Sequence, residues 1–113
     1  RSEEMQNLYQ QYLVSGPAEY VKELFKNMEI IKVSSTSVPN HVAGAIASLM
    51  REKDKLMIQV IGAAALNQAI KSIAIARGYI IPTGKELICI PSFHDLTVDD
   101  KIITAIRLVI ELR

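Results

Sequence analysis

Two apolar, β-branched runs, each followed by a stretch with helical spacing, constrain the fold of this chain most strongly. The runs are residues 29–35 and 55–62, and their composition is typical of strands. Residues 37–51 and 62–78 follow them and carry apolar side chains at helical intervals, with Ser37 as the predicted N-cap of the first helix. A strand–helix–strand connection within one sheet makes its two strands parallel and is almost always right-handed. We therefore expect a parallel strand pair at the centre of the fold.

The last third of the chain predicts two further strands, at residues 86–93 and 102–112. The short acidic connection at 95–101 favours an antiparallel hairpin with its tip near Val98 to Lys101. The complete order is then β-α-β-α-β-β. Two helices on one face of a four-stranded mixed sheet form a two-layer α/β sandwich. At 113 residues, 50% of them hydrophobic, the chain has room for one such domain.

The first 27 residues differ in character from the rest and contain three of the four tyrosines. Their apolar residues follow helical spacing, which Ser15, Gly16 and Pro17 interrupt, so two short helices are predicted. Three interpretations remain open: a helical hairpin that packs on its own domain, an arm that docks on a protein partner, and a disordered or artificially added extension. The predicted domain boundaries are 1–27 for the extension and 28–113 for the compact domain.

Composition excludes several classes of function. The formal net charge is +1, so binding to nucleic acid would require cations gathered on one face rather than an excess of them. The aromatic content of 5% and the lack of tryptophan argue against a base-stacking surface. The apolar runs are too short for a membrane span. The single cysteine, Cys89, cannot form an internal disulfide, which is compatible with the reducing cytoplasm where we expect the protein.

The sequence contains no arrangement typical of catalysis, metal binding or cofactor binding. His41 and His94 lie in different segments, and neither has metal-ligand spacing to Cys89. Asp99 and Asp100 are adjacent in a predicted turn, where acidic residues are favoured for local hydrogen-bonding reasons. Glycine-rich nucleotide motifs and a nucleophile elbow are missing from the sequence. We therefore expect no catalytic residues, no metal and no cofactor.

The second predicted helix begins with unusually small residues, Gly62, Ala63 and Ala64. Small side chains leave the N–H groups of the first helical turn accessible. An anion at an exposed helix start is stabilised by about 0.3–1 kcal/mol. The first helix begins at the same edge of the sheet, because both helices follow parallel strands. Close packing without any ligand explains the small residues equally well, so both interpretations stay open.

The outer face of the second helix is a candidate surface for self-association. Its spacing places Asn67, Lys71 and Ile75 on the polar side, together with Ser72, while Ile70 is assigned to the inner side. An apolar residue on a polar face is often a lone surface residue. Alternatively, Asn67, Lys71 and Ile75 form a dimer interface.

Residues 28–113 resemble the bacterial stage V sporulation protein S (SpoVS) family. The resemblance rests on "MEIIKVSS", "PNHVAGAIASLMRE", "IQVIGAAALNQAIKSIAIARGYI", "GKELICIP" and "TAIRLVIELR". That family is similar to the Alba superfamily, small dimeric proteins that bind DNA or RNA and share the β-α-β-α-β-β order. The resemblance implies an Alba-like sandwich and a non-enzymatic, homodimeric nucleic-acid-binding regulator of sporulation. The alternative it allows is a protein-interaction module in the same pathway.

The resemblance also implies which residues approach nucleic acid, namely the loop after the first strand, the second helix and the hairpin. In that loop Ser35 and Thr36 replace the lysine pair of Alba proteins, and Asn40 matches an asparagine that opens the first helix, where a capping role explains it. The acidic hairpin tip, Asp99 and Asp100, would repel phosphate. The candidate nucleic-acid-binding residues are Lys32, Ser35, Thr36, Asn40, Lys71, Arg77 and Arg107.

Overall fold

The computed structural model of the chain describes residues 28–113, and these form the predicted order of strands and helices. The helices predicted in residues 1–27 lie outside the described residues. The elements are β1 (Ile30–Lys32), α1 (Pro39–Glu52), β2 (Lys55–Val60), α2 (Ala63–Ile80), a 3₁₀ turn (Ile81–Thr83), β3 (Leu87–Val98) and β4 (Lys101–Leu112).

The four strands form one mixed sheet in the order β1-β2-β4-β3. Strands β1 and β2 are parallel, whereas β4 is antiparallel to both β2 and β3. Leu56, Ile58 and Val60 of β2 belong to the core shared with the two helices, as do Leu108 and Ile110 of β4. Both helices therefore lie on one face of the sheet, and the predicted two-layer α/β sandwich is confirmed.

The core lies between the sheet and the two helices. Ile46 of α1, Ala69 and Ala76 of α2, and Ile58 of β2 are fully buried there. Burying a side chain of the size of isoleucine stabilises a fold by about 1.5–3 kcal/mol. The alanines of α2 contribute less apolar area, but they let the helix backbone come close to the strands beneath it.

The face of α2 that meets the core differs from the predicted one. Ser72 is fully buried, and its Oγ donates a hydrogen bond to the carbonyl oxygen of Gln68 at 2.7 Å. Ile75 is partly buried against the core, whereas Ile70 is half-exposed. The prediction of Ile75 as an outer-face residue was wrong, because a serine whose hydroxyl bonds to its own helix can occupy the core side.

The start of α1 also differs from the prediction. The N-cap residue is Val38, in an extended conformation and without a side-chain hydrogen bond at the cap. Ser37, the predicted cap, instead accepts a hydrogen bond from the Ser34 N–H at 2.9 Å. Asn40 is the second residue of the helix and is exposed, so its predicted capping role was wrong. Pro39 sits at the first helical position, where no N–H partner is needed.

The β3–β4 hairpin is longer than predicted, since most of the acidic connection belongs to the strands. Strand β2 pairs with β4 only between Ile106 and Glu111, so the outer part of the hairpin is a two-stranded arm. The tip is the predicted one, with Val98 opposite Lys101. Asp99 and Asp100 form the turn with φ of 50° and 62°, the left-handed backbone that a two-residue type I′ turn requires.

Replacement of Asp100 tests the strain at this turn. A non-glycine residue in the left-handed region costs about 1 kcal/mol, so Asp100→Gly is expected to stabilise the chain by roughly that amount, while Asp100→Ala destabilises it. Both variants remove the same carboxylate, so electrostatic effects cancel in the comparison. The measurement is the midpoint of urea unfolding. Equal midpoints for the two variants would contradict a strained turn.

Gly62 links β2 directly to α2 with φ 90° and ψ 159°, a region that is essentially restricted to glycine. A Cβ atom at this position would have open space around it, so the constraint is the backbone conformation rather than crowding. The abrupt change from strand to helix therefore depends on glycine here.

Gly62→Ala is expected to lower the free energy of unfolding by about 1–3 kcal/mol. The matched control is Gly78→Ala, within α2 and also with open space at the Cβ position, which is expected to raise that free energy by about 0.5–1 kcal/mol. Urea unfolding of both variants measures the difference. The same sign of effect at both glycines would refute the backbone explanation.

Candidate nucleic-acid interface

A cleft of about 460 Å³ opens where β1 and β2 end. The carboxyl ends of parallel strands meet at one edge of a sheet, and the loops that leave them form a crevice there. Lys32 ends β1, Gln59 lies near the end of β2, and Ser35 belongs to the loop that follows β1. The start of α2, from Gly62 to Ala65, completes the lining.

The start of α2 is open on the cleft side. Its N-cap, Gly62, makes no side-chain hydrogen bond to the helix. Ala63 and Ala64 are exposed and line the cleft, whereas Ala65 is buried. Close packing on the sheet therefore explains the small side chains of Ala65 and Ala69. It does not explain the small side chains of Ala63 and Ala64. Small side chains at Ala63 and Ala64 keep the first helical turn accessible to an anion.

The loop beside the cleft is rich in hydroxyl groups. Ser34 Oγ lies 3.1 Å from Thr36 Oγ1 and 3.3 Å from Ser37 Oγ. Gln68 Nε2 of α2 donates a hydrogen bond to the Ser37 carbonyl oxygen at 2.9 Å, which fastens the loop to the helix. Ser35 lines the cleft itself. The loop therefore offers neutral hydrogen-bond donors beside the cleft.

A polar row crosses the sheet at the edge of the cleft. Lys32 pairs in register with Gln59, Gln59 with Arg107, and Arg107 with Ser92, one residue from each strand. Arg107 Nε donates a hydrogen bond to Gln59 Oε1 at 2.9 Å. Burial lowers the pKa of Arg107 from its ordinary value, but a guanidinium remains charged at neutral pH. Lys32 and Arg107 thus lie on either side of Gln59, a cleft residue.

Arg77 is separated from the cleft and already has a partner. Its Nη2 and Nε donate hydrogen bonds to the Glu86 carboxylate at 2.8 and 3.0 Å. The hydrogen bond with Arg77 lowers the pKa of Glu86 and raises that of Arg77, so both groups stay charged and compensate each other. At 1.5 Å per helical residue, Arg77 lies about 21 Å from Ala63 and Lys71 about 12 Å. Lys71 is exposed on α2.

The structure brings together part of the predicted site. Lys32 and Ser35 meet the predicted anion-binding helix start in the cleft, and Arg107 is joined to it through Gln59. Sequence reasoning missed Gln59, although a glutamine in the apolar run "KLMIQVIG" was a visible signal. The predicted nucleic-acid-binding residues that do not line the cleft are Thr36, Asn40, Lys71, Arg77 and Arg107.

The predicted self-association residues are only partly at the surface. Asn67 and Lys71 are exposed on α2, and Ile75 packs against the core. The apolar residue that does lie outside is Ile70. Phe93 of β3 is largely exposed, and its partner in register is Ile106, which packs on the helix-side core. Ile70 and Phe93 therefore present apolar surface on the same side of the sheet.

Residues 28–113 contain no group of three or more histidine, cysteine, aspartate or glutamate side chains close enough to hold a metal ion. Cys89 is a free thiol whose pKa is raised by burial, which disfavours the reactive thiolate. None of the helices in these residues combines the length and apolarity needed to span a membrane.

Two comparisons with known proteins agree with this architecture. The chain is similar to the solved structure described as "Alba from Thermoplasma volcanium", with a TM-score of 0.53 and 17% sequence identity, over 74% of this chain and 98% of that chain. At that identity the similarity shows an Alba-like fold. The model of the family described as Stage V sporulation protein S (SpoVS) matches residues 29–113. The chain therefore belongs to the Stage V sporulation protein S family.

Proposed function

We propose that this protein is a non-enzymatic, homodimeric nucleic-acid-binding regulator of sporulation or related development. The observation that carries the proposal is the cleft, where Lys32, Ser35 and the start of α2 converge. An ammonium group, a hydroxyl and helix-start N–H groups are the donors that proteins use to hold a phosphate. Family membership supplies the link to sporulation, and the Alba-like fold supplies the link to DNA or RNA.

The polar row extends this contact beyond one phosphate. Lys32 and Arg107 lie on strands two positions apart, so their backbones are about 10 Å from each other. At that separation the two cations serve different phosphates along one backbone. Each such contact contributes a salt-dependent term, with a slope near −0.7 to −0.9 in log affinity against log salt. One chain then binds weakly, and a dimer doubles the number of contacts.

The dimer is proposed to form on the helix side of the sheet. Ile70 of α2 and Phe93 of β3 expose apolar surface there, and Asn67 and Lys71 flank Ile70 on the helix. Burying exposed apolar surface is the dominant favourable term in most protein association. Ile70 therefore replaces Ile75 as the apolar residue of the proposed dimer interface on α2.

Charge reversal at the cleft tests nucleic-acid binding. Lys32→Glu is expected to weaken binding of a fluorescein-labelled duplex or single-stranded RNA and to reduce the salt slope by about one contact. The matched control is Lys85→Glu, an exposed lysine after the 3₁₀ turn that does not line the cleft. Fluorescence anisotropy between about 50 and 200 mM salt measures both quantities. Equal loss in the two variants, or no binding at the lower salt, would contradict the proposal.

Association is tested separately by Ile70→Glu, which places a charge in the proposed dimer interface. The mass from light scattering is expected to fall by half, because burying an unpaired carboxylate opposes association. Tyr79→Glu is the matched control, since Tyr79 is also an exposed residue of α2 but lies near its far end. A dimer that persists in Ile70→Glu would place the interface elsewhere.

A second candidate function is protein recognition without nucleic acid, and the hairpin arm favours it. Asp95, Asp99 and Asp100 lie on the arm and repel a phosphate backbone. Phe93 and Ile102, both largely exposed, give the same arm an apolar surface suited to a protein partner. Phe93→Ser and Ile102→Ser would then abolish partner binding, whereas Lys32→Glu would leave it unchanged.

A further inference from the structure

Helix α2 begins at the cleft and ends at a second open groove. Two cavities of about 480 and 270 Å³ adjoin there, because Ala47, Arg51 and Tyr79 line both of them. Met50 and Ile80, both buried, form an apolar floor in the smaller cavity, and the Tyr79 ring is 56% exposed. We call the two cavities together the end groove.

The end groove carries positive charge. Arg51 and Lys85 line it and are exposed, whereas none of its lining residues among residues 28–113 is an aspartate or a glutamate. Neither cation forms an ion pair with another described residue, unlike Arg77, which Glu86 compensates. The two cations are therefore available to an anionic group from another molecule.

Two helical glycines keep the end groove clear of side chains. Gly44 of α1 and Gly78 of α2 both line it, and a Cβ atom at either position would have open space around it. Neither has a positive φ, in contrast to Gly62 and Gly84. Glycine inside a helix is destabilising relative to alanine. Packing and backbone conformation within the chain therefore explain neither glycine, whereas space for a second molecule explains both.

The tip of the β3–β4 hairpin carries the complementary surface. Asp99 and Asp100 form its turn, and their carboxylates make no ion pair with another described residue. Val98 and Ile102 flank the turn and are 43% and 75% exposed. Lys101 offsets one of the two negative charges. The tip is thus an acidic turn between apolar side chains, which suits a groove with cations at its rim and an apolar floor.

The tip does not reach the end groove of its own chain. Leu112, one end of β4, lines the groove, whereas Lys101, the other end, belongs to the tip. The strand steps between them, at about 3.3 Å per residue, add up to about 36 Å. Tip and groove therefore lie at opposite ends of the molecule, so a tip can meet only the groove of another copy.

We propose that the hairpin tip of one copy docks in the end groove of the next. The Asp99 and Asp100 carboxylates then lie against Arg51, and Ile102 packs on the floor beside Tyr79. Such a contact is heterologous, so it repeats from copy to copy and forms open chains rather than a closed pair. The inference goes beyond the proposed function and needs neither nucleic-acid binding nor the helix-side dimer, because every copy carries one tip and one groove.

The contact is weak, because a single hairpin tip buries far less surface than a standard interface of about 1,600 Å². It is populated only in concentrated protein. The helix-side dimer and nucleic-acid binding are measured in dilute protein, where the groove is empty. Variants of Tyr79 and Lys85 therefore remain controls for those two measurements.

Charge variants of the two surfaces test the proposal. Arg51→Glu reverses the charge of the groove, and Asp99→Asn with Asp100→Asn removes the charge of the tip while keeping residues that tolerate left-handed backbone. The mass of the unchanged chain from light scattering is expected to rise between about 10 µM and about 1 mM protein. Each variant alone is expected to keep its dilute-solution mass.

Mixing the two variants distinguishes docking from a structural role of Arg51 at the end of α1. An equal mixture is expected to regain the rise in mass, because the groove variant supplies intact tips and the tip variant supplies intact grooves. Regained assembly also shows that both variants are folded. A rise that persists in either variant alone, or a mixture that keeps its dilute-solution mass, would overturn the proposal.

A second measurement fills the end groove without changing its charge. Gly44→Gln is expected to raise the midpoint of urea unfolding, because glutamine favours a helix more than glycine does, and at the same time to abolish the rise in mass. The matched control is Ala45→Gln, at the adjacent exposed position of α1 that does not line the groove; it is expected to assemble normally. A stable Gly44→Gln chain that still assembles would contradict docking in this groove.

Discussion

The parallel pairing of β1 with β2 determines where the cleft lies. Lys32 pairs with Gln59, and the Val33 N–H donates to the Gln59 carbonyl oxygen at 3.1 Å. Because the two strands run in the same direction, both end at one edge, and the chain leaves them there in two different ways. After β1 it forms a hydroxyl-rich loop, and after β2 it turns at Gly62 directly into α2. The cleft is the space between the loop after β1 and the turn at Gly62. Its position is therefore set by the shared direction of the two strands and by this one glycine.

In this protein the positions of the charged side chains matter more for the candidate site than the net charge does. The net charge of the whole chain is only +1, and part of the positive charge is compensated internally, as in the Arg77–Glu86 and Lys53–Glu29 ion pairs. Exposed ion pairs of this kind add little stability. Their larger effect is to neutralise positive charge on surfaces away from the cleft. The charge of Lys32, at the ends of the parallel strands, then contributes more to the local electrostatic potential.

Local sequence patterns were sufficient for the element order, the parallel β1–β2 pair and the β3–β4 hairpin, because these depend on periodicity and on turn residues. They failed where a side chain bonds to nearby backbone. Ser37 closes its own loop instead of capping α1, and Ser72 bonds to its own helix and enters the core, which turns Ile75 inward and Ile70 outward. They also could not give the hydrogen bond between Arg107 and Gln59, which are 48 residues apart and meet only through the sheet register.

The two-stranded hairpin arm differs mechanically from the rest of the sheet. Between Lys101 and Ala105, β4 is hydrogen-bonded to β3 and not to β2, so this two-stranded ribbon lacks the neighbouring strand that stiffens the rest of the sheet. Two-stranded ribbons twist more than wider sheets. The two-stranded arm is therefore expected to bend and twist more easily than the four-stranded part of the sheet. The residues around the cleft belong to the stiffer part and keep their spacing.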